Sequence, residues 1–183
     1  MDMRMFEIRH ISPEQYRQQT RKSTLIVAVV FAVLAMSLST LAVALFGSEE
    51  GSNFRWNLAG VLLGLAFTIM LVRKVFWTQP WMASAAYGWQ LKRSLMTVTN
   101  VMHQVELGVR AGSPEAMKLL RFYHLGLAEM HKLDGNQQAL NDLGGEVDQH
   151  REAMLGMGLS IDQYQLDPAW LEILQQGDGD QST

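Results

Sequence analysis

Two stretches of this chain carry no ionisable side chain, and the rest of the sequence is arranged around them. Thr24 to Phe46 is 23 residues long. As an α-helix it would cover about 34 Å, more than the roughly 30 Å of a bilayer's hydrocarbon core. Trp56 to Val72 is 17 residues long and reaches only about 25 Å. Arg73 and Lys74 can snorkel, however, so Val75, Phe76 and Trp77 lengthen its apolar part. Trp56, Trp77 and Trp81 suit the interfacial positions that aromatic rings favour, and Tyr87 and Trp89 extend that belt. A cleavable leader ending at Ala42-Val43-Ala44 fits less well, because the polar lead and the apolar run both exceed what such a leader allows.

The pattern beyond the second stretch is helical throughout, with no convincing strand alternation. Leu91, Leu95, Val98, Met102, Val105 and Val109 form one seam at spacings of 3 and 4, which predicts a single helix from about Met82 to Arg110. Ser113-Pro114-Glu115 starts another, with Leu120, Tyr123, Leu127 and Met130 as its apolar set and Asp134-Gly135 as its stop. A third, from about Gln137 to Leu155, presents Leu140, Leu143, Val147, His150 and Met154, with Gly144-Gly145 as a predicted kink. Asp167-Pro168 begins a short last helix around Trp170, Leu171 and Leu174. Near the N-terminus, Ser12-Pro13-Glu14-Gln15 reads as the start of the first apolar helix, with serine as cap and proline at the first helical position.

The expected fold is therefore all-α: an N-terminal two-helix transmembrane hairpin followed by a small cytoplasmic helical bundle. Its parts are a cytoplasmic segment (1–23), a first span (24–46), a periplasmic loop (47–55), a second span (56–76), a helical domain (77–176) and a polar tail (177–183). Along the first span Ala28, Ala32, Ala35, Ser39 and Ala42 recur at spacings of 4, 3, 4 and 3, and Gly60 and Gly64 form a small-xxx-small pair in the second. These are expected to be the helix-packing faces, meeting within one hairpin or, alternatively, between copies.

Charge sets the orientation. Five Lys or Arg precede the first span (Arg4, Arg9, Arg17, Arg21, Lys22), one lies in the loop (Arg55), and Arg73, Lys74, Lys92 and Arg93 follow the second. By the positive-inside rule both termini face the cytoplasm. Residues 1–76 carry +3 and residues 77–183 carry −6, which gives the chain total of −3. Arg17, Arg21, Lys22, Arg73 and Lys74 are thus expected to meet lipid headgroups, and an acidic total argues against a nucleic-acid partner. The chain has no cysteine, which removes disulfides, thiolate metal sites and a cysteine nucleophile.

Candidate chemistry is sparse. Neither span holds an ionisable group for a proton relay or ion site. His124 and His131 share one helix face, and His103 with Glu106 is an i, i+3 pair on a neighbouring helix, so these four residues are the candidate metal or acid–base cluster. The order His103-x-x-Glu106 is the reverse of the Glu-x-x-His of di-metal bundles. No phosphate loop, nucleophile elbow or zinc-protease motif is present, and no cofactor is expected.

Ser12-Pro13-x-x-Tyr16-Arg17, Arg55-Trp56-Asn57-Leu58-Ala59-Gly60 and Met117-Lys118-Leu119-Leu120-Arg121-Phe122-Tyr123-His124 together resemble an uncharacterised family of bacterial two-span membrane proteins. The resemblance covers nearly the whole chain and implies a bacterial inner membrane with a helical cytoplasmic portion. It brings no catalytic residues. Arg121, Tyr123 and His124 mark an expected interaction surface. The leading expectation is a membrane-anchored, non-catalytic module that binds a protein partner or itself. The alternatives are a metal-dependent or lipid-modifying enzyme built on the histidine cluster, and a subunit of an oligomeric channel.

Overall fold

The computed structural model describes residues 6–49 and 51–179. Arg4 and Glu50, which enter the charge count, and the end of the polar tail lie outside them. The described residues form seven α-helices: α1 (Pro13–Phe46), α2 (Phe54–Lys74), α3 (Ala83–Thr99), α4 (Met102–Arg110), α5 (Pro114–Asp134), α6 (Gln137–Gly156) and α7 (Pro168–Gly179). Two short 3-10 turns, Phe76–Thr78 and Pro80–Met82, lie between α2 and α3. The chain divides into two compact units, Tyr16–Ala86 and Met1–Gln15 with Tyr87–Thr183.

In the first unit α1 and α2 form a hairpin. No Gly or Pro interrupts α1 after Pro13, so its helix is limited only by Gly47. Pro13 begins it as expected, but the Ser12 hydroxyl donates to the Glu14 carboxylate at 2.9 Å. The connecting loop is closed by Asn53, whose Oδ1 accepts from the Ser48 N–H at 3.0 Å. Phe46 stacks on Trp56 with ring centroids 5.0 Å apart. At the opposite end Ser23, 2% exposed, places its Oγ 2.8 Å from Gln19 O and 2.6 Å from Trp81 O. Ser84 Oγ donates to Gln19 Oε1 at 2.6 Å, so the segment after α2 is tied back to α1.

Both hairpin helices are long and apolar enough to cross a membrane, and only 6% and 17% of their most apolar windows is buried. The outward face of α1 includes Leu25, Val29, Val33 and Met36, each more than half exposed. A core helix of a water-soluble protein would bury such a stripe.

The second unit packs around α5, which touches α4, α6 and α7. Ser113 Oγ accepts from the Ala116 N–H at 3.4 Å, and Gly135 closes the helix at φ 73°, a left-handed conformation that glycine adopts without strain. Leu119 and Phe122 are fully buried. The expected set Leu120, Tyr123, Leu127 and Met130 is only half-buried, because α5 is covered on several sides and not along one stripe.

The single helix expected from Met82 to Arg110 is two. Thr97 and Thr99 turn their hydroxyls onto the carbonyls of Arg93 and Leu95, and Val101 N–H bonds to Val98 O, three residues back, at 3.0 Å. Side-chain competition and a β-branched run weaken the helix here. The turn shifts the seam, so Val101 is buried where Met102 was expected. The kink expected at Gly144-Gly145 is absent: α6 runs unbroken, and both glycines face open space. α7 extends to Gly179, past the expected start of the tail at 177.

The N-terminal segment belongs to this unit and is not a separate piece. Ile8 N–H donates to Tyr164 O at 2.8 Å and Leu166 N–H to Phe6 O at 3.0 Å, a two-residue antiparallel pairing of Glu7 with Gln165. Tyr87 is buried; its hydroxyl accepts from Arg9 N–H at 2.9 Å and donates to Arg9 O at 3.0 Å. That is a core role and not the interfacial one expected for it.

Candidate functional site

The hairpin contact is built from the small residues. A Cβ added to Gly64 would lie 2.7 Å from Ala35 Cα, and one added to Gly60 would overlap the Ser39 and Leu38 backbone. Backbone thus meets backbone, and Ser39 Oγ donates across the pair to Asn57 Oδ1 at 2.8 Å, while the buried Thr68 Oγ1 is satisfied within α2 by Gly64 O at 2.8 Å. Of the expected seam, Ala35 is buried and Ser39 half-buried, whereas Ala28 and Ala32 are exposed. Past Gly64 and Ala35, on the side away from the loop, residues of both helices line a cleft, Ala28 among them.

Buried ionisable groups collect in the second unit. His124 is 1% exposed and His150 is 7% exposed, and their rings meet edge to face with centroids 5.3 Å apart. His150 Nε2 lies 3.0 Å from Met117 O. A carbonyl only accepts, so this nitrogen carries the proton. His124 Nε2 lies 3.4 Å from the Glu146 carboxylate, which by the same reasoning leaves Nδ1 as the acceptor, buried and without a partner. Burial chiefly lowers the pKa of both histidines; His150 further lowers that of His124, and the Glu146 carboxylate partly offsets this. Arg121, also buried, donates from Nε to Ile161 O at 3.0 Å, and desolvation lowers its pKa. Both imidazoles are therefore neutral at pH 7, wedged between α5 and α6.

Glu129 is a second buried charge, 4% exposed. Its Oε1 lies 3.5 Å from Ile11 N and its Oε2 lies 3.5 Å from His10 Nδ1. It clasps the N-terminal segment onto α5.

The expected cluster does not assemble. His103 and Glu106 are exposed on α4, His131 is half-buried and His124 is buried. No group of three or more His, Asp or Glu among the described residues is placed to hold a metal ion. Arg121 and His124 lie in the core and not on an interaction surface, and Tyr123 is half-buried. Arg21, Lys22, Arg73 and Lys74 are exposed at one end of the hairpin, and Arg17 is half-buried. The sequence places His150 on the apolar face of α6, and it is buried there; Glu146 and Glu129 were not singled out, because neither stands in a motif or on an apolar seam.

What fold and geometry define, among the described residues, is an all-helical architecture with two span-length apolar helices and no group of three or more His, Asp or Glu placed to hold a metal ion. The chain belongs to the family described as "Protein of unknown function (DUF3087)", which matches residues 6–171. No curated protein and no solved structure matches it.

Proposed function

We propose that this chain is a two-span membrane anchor in a bacterial inner membrane that holds a helical interaction module at the cytoplasmic face, and that it acts by binding a protein partner or a second copy and not by catalysis. One observation carries the reading: the apolar flanks of α1 and α2 are left outside the fold, with Leu25, Met36 and Leu45 each more than 60% exposed, a surface that only hydrocarbon or another apolar surface covers favourably. The five-one-four distribution of Lys and Arg supports cytoplasmic termini. On α3, Trp89 and Met96 are 48% and 65% exposed and lie seven residues apart, hence on one face, with Arg93 over the Trp89 ring at 5.1 Å. An aromatic, a methionine and an arginine are the residues enriched where proteins bind one another.

The absence of native cysteine makes the test direct. In intact cells, a membrane-impermeant maleimide should label a Ser48→Cys variant, and should label a Thr97→Cys variant only after permeabilisation. The reverse pattern would overturn the orientation. Cross-linking of the full chain in native membranes should capture a partner or a dimer, lost in Trp89→Glu. Capture of neither would remove the interaction role.

A further inference from the structure

We infer that the cleft between α1 and α2 is a binding site for one phospholipid, its acyl chain lying between the helices and its phosphate against Arg73. This rests on the membrane reading above. Beyond the contact of Gly64 with Ala35, on the side away from the loop, the two helices border an open cleft of about 530 Å³, walled by Val27, Ala28, Phe31, Leu65 and Ile69 among others. Ser23, Thr24 and Thr68 also line it, and the hydroxyls of Ser23 and Thr68 already bond backbone carbonyls. Such walls offer little to water and favour hydrocarbon.

Arg73 is the single charged residue among those that line the cleft. It is in the last turn of α2 and exposed, at the end where Arg21, Lys22 and Lys74 also lie. The cleft therefore runs from a basic rim to an apolar end beside the Gly64–Ala35 contact, the polarity of a phospholipid. The charge at the rim selects the occupant: Arg73, with Arg21 and Lys22 at the same end, would meet the same basic end of a parallel second copy but complements the phosphate of a lipid.

The test uses the full chain in phosphatidylcholine nanodiscs doped with phosphatidylglycerol that carries a photoactivatable diazirine on its acyl chain. Labelled positions are mapped by mass spectrometry. Label should concentrate at Val27, Ala28, Phe31 and Ile69 over the outward Val29 and Val33. Ala28→Leu, which fills the cleft, should lower cleft labelling at least about fivefold, whereas Ala32→Leu, exposed and outside it, should not. Arg73→Gln should lower labelling by about fivefold, as expected for one headgroup contact. Uniform labelling of cleft and outward positions, or a dimer that Ala28→Leu dissociates, would overturn the inference and leave the membrane reading intact. Release of the chain from native membranes by alkaline carbonate would instead remove the membrane reading itself.

Discussion

Gly64 of α2 rests on the backbone of Ala35 of α1, so closely that a single added carbon would come within 2.7 Å of Ala35 Cα. The pair fixes where the hairpin is tight and where it opens. Toward the loop the helices stay in contact through Gly60 and Ser39, with the Ser39–Asn57 bond at 2.8 Å. In the other direction both helices line a cleft. The two glycines are thus occupied within the chain, which weighs against their serving as a contact between copies.

Gly64→Leu should force the hairpin apart. Its side chain would meet main chain, which cannot rotate away, so the cost belongs at or above the 1–3 kcal/mol typical of overpacking. A disulfide between Ser39→Cys and Asn57→Cys should form rapidly in the parent sequence and slowly or not at all with Gly64→Leu. Equal cross-linking in both would show that the two helices do not pack through this glycine.

Glu129→Ala should free the N-terminal segment from the helical unit. The buried carboxylate holds Ile11 N–H and faces His10, and leaving those groups unpaired costs about 1–3 kcal/mol. Trypsin should then cut after Arg9 faster than in the parent chain, with Glu129→Gln, which keeps the acceptor oxygen, falling between. Unchanged cleavage would mean that the Tyr87 and Tyr164 contacts hold the segment alone.

Much of this arrangement is legible in the residues. Ser113-Pro114 and Gly135 bound α5 as their backbone chemistry requires, and Gly60-x-x-x-Gly64 identifies the packing face of α2. Three features are not legible. The pairing of Glu7 with Gln165 joins residues 158 apart in sequence, and two residues carry no alternation to read. The break at Asn100 and Val101 arises from local hydroxyl bonds that compete with an otherwise continuous seam. The meeting of His124 with His150 depends on how α5 and α6 pack, whereas linear spacing drew His124 toward His131, seven residues away on its own helix.

Phe122→Ala should destabilise the helical unit by about 3–5 kcal/mol, the range for removing a buried aromatic ring. Phe122 is completely buried, and α5, which carries it, is packed by three other helices, so the surroundings cannot collapse freely into the space. Denaturant titration of the full chain in detergent, followed by helical circular dichroism, reads the loss. A change below about 1 kcal/mol would contradict the central position of α5.

Stability should fall as pH drops below about 6.5, the ordinary value for histidine. Burial lowers the folded-state pKa of His124 and His150, with Glu146, 71% exposed, only partly offsetting it for His124. Below 6.5 the unfolded chain therefore binds protons that the folded chain refuses. By linkage, stability is full above the unfolded value and declines as pH falls, until the lowered folded values are reached and the slope vanishes. Each histidine contributes at most about 1.4 kcal/mol per pH unit. The rings lie edge to face with Arg121 nearby, so the second proton enters against the first and the loss extends further down in pH. Denaturation midpoints of the full chain between pH 7.5 and 5 should trace this decline while most carboxylates stay ionised. His150→Gln, whose amide can still donate to Met117 O, should remove about half of the slope, and adding His124→Gln should remove most of the rest. A double variant with the parent slope would place the pH sensitivity elsewhere in the chain.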